Sequence, residues 1–170
     1  MNKGKIITPL QNHKKPDPYD IHICVQHANF DVNYEYQQLT HNNKSDGAVV
    51  FFVGRMRELN QGQAVNTLTL EHYPGMTEKA LSDIVTEAQQ RFEISRCRII
   101  HRVGKLELED QIVFVGISSH HRQEAFSAAQ FIMDYLKTRA PFWKKETTQS
   151  GNEIWVEAAN KDKLAAEQWA

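Results

Sequence analysis

Residues 111–139 read QIVFVGISSHHRQEAFSAAQFIMDYLKTR, and this stretch decides the fold class. Gln111–Ser118 is an apolar run of strand length, as expected of a strand buried on both faces. It passes directly into a helix from about Arg122 to Arg139. There Ala125, Phe126, Ala128, Ala129, Phe131, Ile132, Met133, Tyr135 and Leu136 occupy nearly the whole circumference. A helix that is apolar all round must be covered on more than one side, so a second copy of the chain or another packed partner is expected.

Working outward, Arg96–Leu108 reads as a strand, a bend at Gly104 and a further strand. A second long helix follows Pro74-Gly75, with Leu81, Ile84, Val85, Ala88 and Phe92 on one stripe. Ala48–Gly54, AVVFFVG, is apolar on both faces and predicts a central strand. Arg55–Gln63 reads as a loop and Ala64–Tyr73 as a strand. Ile21–Val25 is a first strand, and Asp31–Leu39 a short helix with Asp31 as its cap. Glu153–Ala158 adds a last strand, and residues 164–169 a short terminal helix. Strands outnumber helices without alternating regularly with them. The pattern therefore predicts an α+β single domain, with a mixed or antiparallel sheet and two main helices. Residues 1–18, polar, basic and punctuated by Pro9, Pro16 and Pro18, read as a flexible leader. The domain proper is expected over 19–158, with 159–170 as a tail or short helix.

The 170 residues suit one core, and 41% hydrophobic and 24% charged residues are ordinary globular values. A net charge of −1 gives no reason to expect nucleic acid. Cys24 and Cys97 are the only cysteines, which argues against a disulfide framework and for a reduced, cytoplasmic setting. No apolar run is long enough to span a bilayer, and the first residues lack the apolar core of a secretory signal. His22 and Cys24 share a strand face, but no second ligand pair follows, so no zinc site is expected. Cys97, inside a strand, reads as core packing. Gly-rich phosphate loops, Ser-His-Asp spacings and HExxH are all missing from the sequence.

Three cationic spots each follow the end of an element. GRMR, Gly54–Arg57, lies just beyond the Ala48–Gly54 strand and reads either as a solvated loop or as guanidinium forks for phosphate or carboxylate. SSHHR, Ser118–Arg122, sits at a helix N-terminus, where unpaired N–H groups suit an anion. Arg122 opposes the helix dipole there, and a bound anion would compensate it. His121 can donate a hydrogen bond or move a proton near neutral pH. The plainer reading is two exposed histidines at a helix cap. KTRAPFWKKE, Lys137–Glu146, places Lys137 in the last helical turn and ends the helix before Pro141. Phe142 and Trp143 are expected to anchor a rigid corner from which Lys144 and Lys145 emerge. The local reading is a helix terminator with favourable charges; the functional one is a precisely held lysine.

Together these segments suggest a family. GAVVFFVGRMR (47–57), LTLEHYPGMTEKAL (68–81), IHRVGKL (100–106) and FIMDYLKTRAPFWKKE (131–146) resemble the large, catalytic subunit of molybdopterin synthase, in order, from about Tyr19 to Ala158. The resemblance implies an α/β-hammerhead-type fold in a homodimer flanked by two small subunits. It implies conversion of the cyclic pyranopterin monophosphate precursor Z into molybdopterin. Two dithiolene sulfurs would arrive as thiocarboxylate on the C-terminal Gly-Gly of a small ubiquitin-like carrier. By position, Lys137 matches the proposed catalytic lysine and Lys144 the second pocket lysine. Arg57, His121 and Arg122 match the anion-binding positions, and Arg55, Met56, Lys145 and Glu146 complete the expected substrate site. No resident cofactor or metal is implied, nor a reactive cysteine, since the carrier brings the sulfur. Arg55 stands where a lysine is common and His120 where a small residue is expected; the leader has no counterpart. A non-catalytic, dimeric anion- or peptide-tail-binding module is the alternative. A phosphoryl-transfer enzyme built on His120-His121 is a third class, which predicts a phosphohistidine.

Overall fold

The computed structural model describes residues 20–60 and 63–170. In chain order the elements are β1 (Asp20–Gln26), α1 (Val32–Thr40), β2 (Ala48–Arg55), β3 (Leu59–Asn60), β4 (Gln63–His72), α2 (Met76–Arg91) and β5 (Arg96–Arg102). They continue with β6 (Gly104–Glu107), β7 (Gln111–Ser119), α3 (Arg122–Arg139), β8 (Phe142–Thr148), β9 (Glu153–Val156) and α4 (Asn160–Glu167). The result is one α+β domain with four helices and two sheets. The expected leader, residues 1–18, lies outside the described residues.

The first sheet has the order β1-β5-β7-β2, with β1 parallel to β5 and the other pairs antiparallel. Alternation along its strands decides which helix covers which face. Val113, Val115 and Ile117 of β7, with Cys97 and Ile99 of β5, pack against Leu81, Ile84, Val85 and Ala88 of α2 and the apolar surface of α3. Phe114 and Ile100 point the other way and pack with Phe30 and Leu39 beneath α1. Asp31 caps α1 by accepting from the N–H groups of Asn33 and Tyr34, as its position before the helix requires. The Arg98 guanidinium donates to Glu35 across this smaller core, a buried pair that ties β5 to α1. Burial pushes the Cys97 thiol up to about 12, so it is an inert core residue.

The second sheet is built on β4, with β8 along one edge and β6 and β3 along the other, and β9 beyond β8. Val65, Leu68, Leu70 and Leu106 form its apolar inner cluster together with Met56. The chain crosses from the first sheet to the second between β5 and β6, where Gly104 takes φ +85°. A Cβ there would meet the His27 ring at 2.7 Å, so both backbone angle and space call for glycine.

Three expectations need correcting. Ala48–Gly54 is an edge strand rather than a central one. Its residues are apolar on both sides because Val50 packs on the α3 side and Val49 and Val53 on the α1 side. Two covered faces do not imply two strand neighbours. Residues 55–63 are not wholly loop, since Leu59–Asn60 pairs with Ala64 and Gln63. The corner expected at Pro141-Phe142-Trp143 is instead the start of β8. Ala140 ends α3 in extended backbone before Pro141, as expected, and Phe142 stacks on the buried His101 ring at 3.9 Å. Trp143, however, is 49% exposed and anchors nothing.

Candidate functional site

The site is best assembled from its cations, because the fold accounts for most of them. Eight arginines occur in the sequence, all among the described residues. Arg55, Arg91, Arg96, Arg98, Arg102 and Arg139 each donate to a backbone carbonyl or a carboxylate. Arg57 and Arg122 do neither among the described residues, and both are exposed. A guanidinium carries five donors in a rigid fork, and these two direct theirs to no group among the described residues.

Arg57 is aimed by its neighbours. The Met56 N–H donates to the Asp110 carbonyl at 2.8 Å, and the Glu109 N–H returns to the Met56 carbonyl at 3.0 Å. Arg55 Nε donates to the Glu109 carbonyl at 3.2 Å. With Met56 sunk into the apolar cluster at 6% exposure, and the Glu58 carbonyl accepting from the Val65 N–H at 2.7 Å, the loop is held on both sides of Arg57. An open cleft of about 540 Å³ follows, lined by Arg55, Met56, Arg57, Glu58, Leu108 and Glu109. The expected pair of forks is therefore divided: Arg55 is committed to the fold, Arg57 faces outward, and Met56 packs below.

At the other cationic junction, His121 is the N-cap of α3 in extended backbone, and its side chain makes no capping hydrogen bond. The leading N–H groups of α3 thus lack a side-chain cap, and Arg122 stands in the first turn beside them. Gly47, His120, His121, Arg122 and Gln123 line a cleft of about 490 Å³. The hydroxyl of the preceding Ser119 is buried without a hydrogen-bond partner among the described residues. His120 is drawn aside, its Nδ1 lying 2.6 Å from Glu93 Oε1. Uncapped N–H groups, an imidazole and a guanidinium together suit a phosphate or carboxylate.

At the C-terminal end of α3, Lys137 is half exposed, with Nζ 3.8 Å from Asp162 Oδ1 of α4. Lys144 and Glu146 lie opposite Leu70 and Leu68 in the β4–β8 register and so share the inner face. Their side chains pair at 3.3 Å, and Glu146 is buried. Lys145 is on the outer face, 3.4 Å from Glu153 and over the Trp155 ring. Lys144 and Glu146 thus adjoin the cluster that seats Met56 and aims Arg57, whereas Lys145 points away from it.

The three spots do not converge within one chain. From Arg122 to Lys137 the helix rises roughly 22 Å, and β2 carries Arg55 a similar distance from the Gly47 cleft, roughly 23 Å. Lys137 thus lies a helix length from His121 and Arg122, while Lys144 adjoins the cluster that seats Met56, just before Arg57. Sequence reasoning missed Asp162 because it put the terminal helix at 164–169, whereas α4 spans Asn160–Glu167 and carries Asp162 in its first turn. It also missed the His101–Phe142 stack, which joins residues 41 positions apart.

The family model for the MoaE protein matches residues 25–139. The molybdopterin synthase catalytic subunit of Escherichia coli K12 is 57% identical over 147 residues, 86% of this chain and 97% of the relative. That of Pseudomonas aeruginosa is 54% identical over the same shares. Among solved structures, the molybdopterin biosynthesis MoaE protein of Burkholderia ambifaria superposes with a TM-score of 0.74 at 48% identity, covering 88% of this chain and 97% of that one. The molybdopterin synthase of Staphylococcus aureus superposes with a TM-score of 0.69 at 30% identity, covering 83% and 98%. A family model over most of the chain, and relatives more than 50% identical that it covers almost end to end, lead to one conclusion: the chain belongs to the MoaE family of molybdopterin synthase catalytic subunits.

Proposed function

We propose that the chain converts precursor Z into molybdopterin in the cytoplasm, as the catalytic half of an assembly with a small ubiquitin-like sulfur carrier. The observation that supports this most is the pair of exposed guanidinium groups, Arg57 and Arg122, that no group among the described residues engages. An enzyme for a cyclic phosphate substrate needs cations held in readiness, and structural arginines are already spent on the fold.

The working site takes both groups of cations, and so needs two copies of the chain. Lys137, Lys144 and Arg57 come from one protomer, and His121 with Arg122 from its neighbour. Phe126 on α3 is 63% exposed and Phe52 on the open edge strand β2 is 43% exposed, so apolar surface is available for such a pairing. The carrier's C-terminal thiocarboxylate then reaches the lysines. Its sulfur forms a C–S bond to the pterin side chain as a C–O bond to the cyclic phosphate breaks and leaves a terminal phosphate, and water cleaves the acyl link to release the carrier as a carboxylate. A second carrier delivers the second sulfur. Lys137 stabilises the negative charge that develops in these steps, while Lys144, with Arg57, holds anionic substrate groups.

The test is reconstituted dithiolene formation from precursor Z and thiocarboxylated carrier. Lys137→Ala should lower the rate at least about a hundredfold, the scale of losing one transition-state donor. A near-normal rate would overturn the assignment.

A further inference from the structure

The lysine assigned to catalysis ends a long flexible side chain that is half exposed, and a freely rotating ammonium is poorly placed for catalysis. One group of the fold faces it: Asp162, in the first turn of α4 and only 19% exposed. None of the eight residues of α4 is buried, so the helix needs an anchor beyond itself. The anchor is the segment after it. Trp169 packs edge-on against Phe92 and Phe131 at 5.9 and 5.5 Å. Its indole Nε1 donates to the buried Asp134 carboxylate at 2.8 Å, beside Gln168 Nε2 at 3.1 Å and Gln130 Nε2 at 2.9 Å. The Arg91 guanidinium holds the Trp169 carbonyl.

Asp134 lies one turn before Lys137 on α3, and its own carbonyl accepts from the Thr138 hydroxyl at 3.0 Å. The turn that carries the lysine therefore also carries the attachment point of the helix that supplies the facing carboxylate. We propose that Asp162 is the positioning residue for Lys137, held in register by the docking of residues 168 and 169 on Asp134. At 3.8 Å the contact orients the ammonium without taking up its hydrogen-bond donors, which stay available to substrate.

This inference rests on the catalytic role of Lys137, and the experiment separates the two. In the reconstituted synthase, Asp162→Asn should lower kcat roughly three- to fivefold, the upper range for a half-exposed pair. KM for precursor Z should stay unchanged, and Asp162→Glu should restore the rate. Acylation by an amine-reactive ester, read by mass spectrometry as the Lys137 to Lys144 ratio, should rise several-fold in Asp162→Asn but not in Asp162→Glu. Trp169→Ala should reproduce the labelling change by releasing the anchor. Wild-type kcat with an unchanged labelling ratio in Asp162→Asn overturns the proposal, as does an effect on KM alone. An active Lys137→Ala enzyme overturns the catalytic reading, while the labelling ratio still reports whether Asp162 holds the side chain.

Discussion

The two ends of α3 are both cationic, but they are built on opposite principles. At the C-terminal end every cation has a reason within the fold: Arg139 pairs with Glu87 and lies over the Tyr135 ring, and Lys137 faces Asp162. The helix dipole favours them as well. At the N-terminal end Arg122 opposes the dipole, has no partner among the described residues, and stands beside a cap histidine that caps nothing. A charge that the fold explains and one that it does not are different kinds of evidence. The first reports stability and needs a further argument before it reports function. The second points to a ligand directly.

The largest expected effect tests whether the two ends work together across protomers. Co-expressed Lys137→Ala and Arg122→Ala chains should regain roughly a quarter of wild-type dithiolene synthesis, since half of randomly mixed dimers would contain one intact site of two. Assayed at precursor Z well below KM, Lys137→Ala alone should be nearly inactive and Arg122→Ala alone about tenfold reduced. No recovery would place both ends in separate sites and break the comparison.

A second test concerns how firmly the C-terminal end is held. Burial holds the His101 imidazole down at about 4, against an ordinary 6.5, so the folded protein keeps it neutral. The unfolded chain takes up its proton below about pH 6.5, so the native state loses stability as pH falls from there towards 4. The loss is on the order of 3 kcal/mol for this group. Denaturant unfolding between pH 7 and pH 4 should show this slope, and His101→Gln, which also removes the stack on Phe142, should flatten it.

Smaller effects should separate the arginines. Arg57→Ala and Arg122→Ala are each expected to raise KM for precursor Z about tenfold, the loss of a charge-assisted contact, with unfolding midpoints unchanged. Arg139→Ala should do the reverse, costing about 1 kcal/mol of stability while leaving turnover within twofold. A thermal shift in Arg122→Ala would show that its charge is structural after all.

Much of this was legible in the sequence because local rules decided it. Arg122–Arg139 forms the helix over the expected residues because its apolar positions, its cap region and Pro141 agree. The cationic segments were visible for the same reason, since each follows an element end. The order of strands was not visible, because the apolar pattern of β2 records covered faces and says nothing about edges. The start of β8 was read as a corner because Pro141 is a strong local signal, whereas pairing with β4 is a contact some 70 positions away. The distance between the cationic segments was not visible either: the sequence shows which residues are charged, but not that α3 keeps Arg122 and Lys137 a helix length apart.

Gly104 gives the fold a dependence that none of its charged groups carries. The two sheets meet through a backbone bend at this residue, and Lys144 belongs to one sheet while α3, with Lys137, rests on the other. Any side chain at 104 would push the exposed His27 ring aside and strain a backbone angle that suits glycine. The turn that joins β5 of one sheet to β6 of the other thus depends on a position that bears no charge and works by having no side chain at all.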